Sequence, residues 1–181
     1  DIPLALEIGT TYTVAQLYFV QERWQQGVDI LLKWFELSEK PNAGSYVLLA
    51  QGYYQLKKFE DALVNVSTAI EMEERAGKVP KESWYNLARF LYFEKDDIDR
   101  ALETLEILIT YYPKKAYWLQ ASGLWGEKGN EELQLAYMET AYEQALLDRS
   151  AELVQMASLY LNAETPFPAA RVLEDGLQAE L

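Results

Sequence analysis

A skeleton of alternating large and small side chains returns along this chain, and it limits the possible folds more than any other feature. Its clearest copy is Tyr46-x-x-Leu49-Ala50-x-x-Tyr53, followed by Phe59-x-x-Ala62 and then Ala69. An earlier copy reads Thr11-x-x-Val14-Ala15-x-x-Tyr18, then Trp24-x-x-Gly27, then Trp34. A late copy reads Leu153-x-x-Met156-Ala157-x-x-Tyr160, then Pro166-x-x-Ala169, then Gly176. Two weaker copies lie between them: Trp84-x-x-Leu87-Ala88 with Ile98-x-x-Ala101, and Trp118-x-x-Ala121-Ser122-x-x-Trp125 with Gly129 and Ala141. Steps of three and four are the helical period. The units begin near residues 8, 43, 81, 115 and 150. That interval, roughly 34 to 38 residues, belongs to helical-hairpin repeats.

The physics of each unit is the same. A small residue (Ala15, Ala50, Ala88, Ser122, Ala157) lets one helix approach its neighbour, and bulky residues beside it fill the remaining space. A polar turn follows, then a second helix with its own small residue at Gly27, Ala62, Ala101 or Ala169. A lone hairpin cannot bury both faces, so the hairpins must stack in sequence. Three departures stand out: Thr11 where a large residue is expected, one extra residue before the second half of the third unit, and Gln134 at a small-residue position, with Ala136 two residues on. Pro41-Asn42, Gly77 with Pro80, and Pro113 punctuate the units. Ser83 is the expected N-cap before Trp84, and Asp148 or Ser150 the expected cap of the fifth unit's first helix. Pro168 fits a first helical turn. The second unit is longer by about four residues, so its second helix or the following loop should project.

Composition removes several function classes. With neither Cys nor His, the chain has no thiol nucleophile, no disulfide and no imidazole base or ligand. No cofactor or metal site is expected, and an enzyme is not. A net charge of −13 repels phosphate backbones and anionic lipid, which argues against nucleic acid and for a basic or neutral protein partner. No apolar run approaches the roughly 20 residues of a membrane helix. The chain opens Asp1-Ile2-Pro3, without Met, and reads as a single array over residues 1–181 taken from a longer protein. Glu71-Met72-Glu73-Glu74 and Glu131-Glu132 read as solvated faces, and Asp96-Asp97 with Asp99 as a turn and helix start, since the Gly and terminal Glu of a calcium loop are missing.

The pattern of large and small residues resembles that of the tetratricopeptide repeats, over residues 8 to 178. The resemblance implies an all-α, right-handed superhelical solenoid of about five hairpins, whose first helices line an inner groove. Carried over by position, that groove holds Tyr12, Gln16, Phe19 and Val20, then Val47, Gln51, Tyr54 and Gln55, then Tyr85, Arg89, Tyr92 and Phe93. The partner-binding set expected from it is Tyr12, Phe19, Gln51, Tyr54, Gln55, Arg89 and Tyr92, with inter-repeat packing as the competing role for Phe19, Tyr54 and Tyr92. An aromatic, amide-rich surface suits an extended or helical protein segment. Repeat domains that clamp acidic chaperone tails carry Lys, Asn and Arg here; Tyr12, Gln16, Leu48 and Asn86 do not match that clamp.

Residues 18–24 with 32–37, 46–56 and 79–85 further resemble the periplasmic tetratricopeptide proteins that accompany TonB–ExbB–ExbD clusters in gammaproteobacteria. That resemblance implies a non-enzymatic envelope scaffold contacting TonB-system components. The alternatives are a self-associating repeat module, a cytoplasmic adaptor unrelated to TonB, and repeats accessory to an enzyme.

Overall fold

The computed structural model describes residues 3–180. Asp1, Ile2 and Leu181, on which the reading of the chain's two ends rests, lie outside the described residues. Among those described there are ten α-helices and no strand. They are α1 (Leu4–Val20), α2 (Trp24–Leu37), α3 (Ala43–Gln55), α4 (Phe59–Arg75), α5 (Glu82–Glu94), α6 (Ile98–Tyr111), α7 (Lys115–Glu127), α8 (Glu131–Glu143), α9 (Ser150–Asn162) and α10 (Pro166–Gln178). The chain forms two compact units, the first running through Ala101 and the second from Leu102.

In the first unit α1 packs on α2, α2 on α3, α3 on α4 and α4 on α5. In the second, α7 packs on α8, α8 on α9 and α9 on α10. Helices α2, α4 and α8 therefore each bury two faces, against the first helices on either side. The small residues sit where close approach demands them: Ala15 and Ala50 are 0% exposed, and Ala88, Ser122 and Ala157 are buried too. Ala62, Ala101 and Ala169 are buried on the second helices. A Cβ added to Gly176 would come within 2.7 Å of Leu153 Cδ1, so α9 and α10 touch almost backbone to side chain. A line of rings ties the first hairpin to the second: Tyr12 to Trp34 (4.9 Å between centroids), Trp34 to Phe35 (5.2 Å) and Phe35 to Tyr46 (4.9 Å).

Every hairpin turns the corner the same way. The residue after the first helix's C-cap takes a left-handed conformation: Glu22, Lys57, Asp96, Gly129 and Glu164, with φ between 57° and 73°. Its N–H bonds back to Phe19, Tyr54, Phe93, Gly126 or Leu161, and the next N–H bonds to the carbonyl of Tyr18, Tyr53, Tyr92, Trp125 or Tyr160. This is the Schellman closure of a helix. Only one of the five corners uses glycine. A side chain in that conformation costs roughly 1 kcal/mol or more, partly offset by the freedom glycine adds to the unfolded chain. Replacing Lys57 with glycine should therefore raise the unfolding free energy by about 0.5–1 kcal/mol, measurable by urea denaturation.

The corners also resolve the third unit's extra residue. It is absorbed at the C-terminal end of α5, whose cap falls at Lys95, seven residues beyond Ala88, where Leu56 falls six beyond Ala50. Ala101 stays fully buried as a result. The added length of the second unit is an extra turn in α4, which has 17 residues against 14 in α2.

Two expected caps are corrected. Helix α5 begins at Glu82, with Lys81 extended at its N-cap, so Ser83 is already inside the first turn. Neither Asp148 nor Ser150 caps α9. Glu152, three residues past the N-cap Arg149, reaches back and accepts from the N–H groups of Asp148 (3.1 Å) and Arg149 (3.2 Å). Pro168 does fall in the first turn of α10, two residues after Pro166.

The departure at Gln134 has a local answer. In other hairpins a large residue at the end of the first helix meets a small one on the second, as Phe19 meets Gly27. The fourth hairpin inverts the sizes. A Cβ on Gly126 would come within 2.6–2.9 Å of the Gln134 amide, and Ser122 Oγ donates to the Gln134 carbonyl (2.8 Å). The atoms met are the far end of a flexible side chain, so we expect Gly126→Ala to destabilise by no more than about 1 kcal/mol, and to be neutral or stabilising when combined with Gln134→Ala. A double-mutant cycle by thermal unfolding measures that coupling.

Candidate functional site

The first helices of the first unit are neighbours: the Phe19 ring packs against Gly52, and the Tyr54 ring meets Phe90 edge-on at 5.5 Å. Equivalent side chains on α1, α3 and α5 therefore run in rows. The row one residue past the small position holds Gln16, Gln51 and Arg89, and the row four further on holds Val20, Gln55 and Phe93. Gln16, Gln51 and Gln55 are exposed, Val20 is 81% exposed and Phe93 49%. Arg89 is half-buried, with Nη2 donating to Asn86 Oδ1 at 3.4 Å. The strip is thus amide in the middle, with apolar side chains at one edge.

Several aromatics expected in this strip are packing residues. Phe19 is 7% exposed, because Gly27 and Gly52 leave room for its ring between α2 and α3; the expectation that it lines a groove is corrected. Tyr12 is half-buried against Trp34, and burial raises the pKa of its hydroxyl. Val47 and Tyr85 are buried, and the Tyr85 hydroxyl donates to Glu74 of α4 (2.8 Å). Tyr54 is half-buried between Phe59 and Phe90. Tyr92 packs on the core under α4, and counted from the turn it aligns with Tyr53, not Tyr54. Of the seven residues expected at the groove, Gln51 and Gln55 are fully on the surface.

Acidic residues outside the Glu71–Glu74 and Glu131–Glu132 runs tie helices together. Successive second helices are joined by tyrosine–carboxylate bonds, Tyr137 to Glu106 (3.0 Å) and Tyr142 to Asp175. Burial, then Glu106, raises the Tyr137 pKa; the bond to Asp175, then burial, raises that of Tyr142. Lys95 pairs with Glu60. Lys115 pairs with Asp148 and with the buried Glu152, which Arg149 also contacts (2.7 Å). Sequence reasoning missed these ties, since their partners are 31 to 37 residues apart. Among the described residues no group of three acidic side chains is placed to hold a metal ion, and no helix is long and apolar enough to cross a membrane.

No protein-family model and no curated protein sequence matches the chain. Solved structures do. MamA of Desulfovibrio magneticus RS-1 is 11% identical, with 96% of this chain and 94% of that one covered and a TM-score of 0.62. YrrB, described as a TPR protein with an unusual peptide-binding site, is 18% identical, with 75% of this chain and 68% of that one covered and a TM-score of 0.61. A putative kinesin light chain of Podospora anserina, with nearly identical TPR-like repeats, is 17% identical, with 96% of each chain covered and a TM-score of 0.56. At such identities the likeness speaks for the fold alone, and the fold is that of the tetratricopeptide repeats.

Proposed function

We propose that the chain is a protein-interaction scaffold whose first unit holds an extended or helical segment of a partner along α1, α3 and α5. The observation that carries this reading is the pair of aligned rows, Gln16–Gln51–Arg89 and Val20–Gln55–Phe93, all exposed but the half-buried Arg89, while the rings between them are used in packing. Primary amides offer both donors and acceptors to a peptide backbone, and Val20 and Phe93 offer it apolar contacts. The peptide-binding description of YrrB agrees with this use of the fold. A photo-crosslinker at Gln51 or Gln55 should capture the partner, and one at Val64, exposed on α4, should not. Gln51→Ala with Gln55→Ala should weaken the complex about tenfold. Equal capture at all three positions would remove the reading.

In its finer form the proposal places this scaffold in the bacterial envelope, beside a TonB–ExbB–ExbD system. Its support is the sequence resemblance of residues 18–24, 32–37, 46–56 and 79–85. Cell fractionation of the full-length protein tests it: recovery in the cytosol, with no crosslink to TonB, ExbB or ExbD, rejects the envelope role and leaves the scaffold reading intact.

A further inference from the structure

The second unit carries a cleft that the first-helix strip does not account for. It lies between α8 and α10, is floored by the end of α9, and has a volume of about 460 Å³. That is within the range of ligand and side-chain sites. Its walls include the rings of Tyr142, Tyr160 and Phe167. Glu139 and Glu143, one turn apart on α8, form one rim, and Arg171 of α10 stands on the other. The Tyr142 hydroxyl donates to Asp175, which holds that ring, and Glu139 stands near enough to Tyr160 to raise its pKa.

Two further features point outward. Phe167 is 88% exposed, yet its backbone is fixed between Pro166 and Pro168 in the first turn of α10. A ring this exposed contributes little to packing and is suited to contact with another molecule. Glu143 is exposed and forms no ion pair or hydrogen bond among the described residues. Two carboxylates face the one guanidinium of Arg171 across the cleft, and burial, then Glu139 and Glu143, raise the pKa of the Tyr160 hydroxyl.

We propose that this cleft docks an arginine side chain from a partner protein, its guanidinium stacked on the Tyr160 and Phe167 rings and paired with Glu143. The carboxylates select a cation, and the aromatic faces select a planar one. Arg171 repels the guanidinium from the α10 rim and so directs it toward α8. A net charge of −13 draws basic segments to the chain. This inference stands apart from the first-helix strip, because it uses different residues in the other unit.

The test is calorimetric titration of the full chain with a tetra-arginine peptide at about 150 mM salt, where long-range attraction is screened. Glu143→Lys should weaken binding about tenfold and Phe167→Ser several-fold, while Arg171→Gln should strengthen it. Both weakening variants are at exposed positions, and circular dichroism checks that they fold. Gln51→Ala with Gln55→Ala should leave this binding unchanged, so its failure and that of the first-helix reading are separable. Glu131→Lys, an equal change of charge at the start of α8, is the control. The proposal is overturned if Glu131→Lys weakens binding as much as Glu143→Lys, since net charge alone would then explain the effect. It is also overturned if a tetra-lysine peptide binds as tightly as tetra-arginine.

Discussion

Replacing Phe19 with alanine should lower the unfolding free energy by about 3–4 kcal/mol, among the largest effects of any single side chain in the first unit. The ring is 7% exposed and lies so close to α2 and α3 that a Cβ on Gly27 would sit 3.1 Å from it and one on Gly52 2.6 Å. Two glycines have given up their side chains to admit it, so truncation leaves a cavity that neither can fill. Gly52→Ala should be destabilising for the converse reason, since Val28 Cγ2 is also 2.6 Å from the added atom. Urea denaturation of both variants checks this. If Phe19→Ala unfolds within about 1 kcal/mol of the parent and loses partner binding, the ring belongs to a recognition surface after all.

Removing the carboxylate of Glu152 should have a comparable effect in the second unit, about 2–4 kcal/mol for Glu152→Ala. The group is 5% exposed and satisfies four donors: the N–H groups of Asp148 and Arg149, the Arg149 guanidinium (2.9 Å to Nε) and the Lys115 ammonium (3.1 Å). Truncation would leave two backbone donors of a helix start and a partly buried cation without it. The same cluster sets a pH window. Burial alone would raise the Glu152 pKa, but hydrogen bonds from Lys115, Arg149 and the Asp148 N–H outweigh it, and the folded value is lowered from 4.5. Asp148 is lowered from 3.8, chiefly by its bond to Lys115. Depressed carboxylate values stabilise the fold above the unfolded pKa, and that contribution is lost as pH falls through the folded one. Lys115 is raised from 10.5, chiefly by its bond to Asp148, so its contribution is complete below 10.5 and lost at higher pH. The melting temperature should therefore fall more steeply with acid below about pH 4.5 in the parent chain than in Glu152→Gln. Parallel acid profiles would show that the cluster is not coupled to folding.

The hairpins were legible because their signal is local. Ala15, Ala50, Ala88, Ser122 and Ala157 recur at helical spacing, and close packing leaves few alternatives for a small residue flanked by large ones. The division of aromatics between core and surface was not legible. Phe19 and Val20 are adjacent and both apolar, yet one is 7% exposed and the other 81%. Which of them turns inward depends on Gly27 and Gly52, and the second of these lies in another hairpin. Most of the left-handed corners were also hidden, since Glu22, Lys57 and Glu164 bear none of the usual marks of that conformation and Asp96 alone is of a type that tolerates it. Nothing local marks Glu152 as a buried acid, because its partner Lys115 is 37 residues away.

The exchange of sizes at Gly126 and Gln134 bears on how this chain can change over generations. Restoring either position to the common arrangement alone disturbs the fit: a side chain at residue 126 must push the amide aside, and a small residue at 134 leaves the glycine facing empty space. The two sites are therefore bound to mutate as a couple. Duplication or recombination that cut between them would join mismatched halves, as a cut between Phe19 and Gly52 would in the first unit.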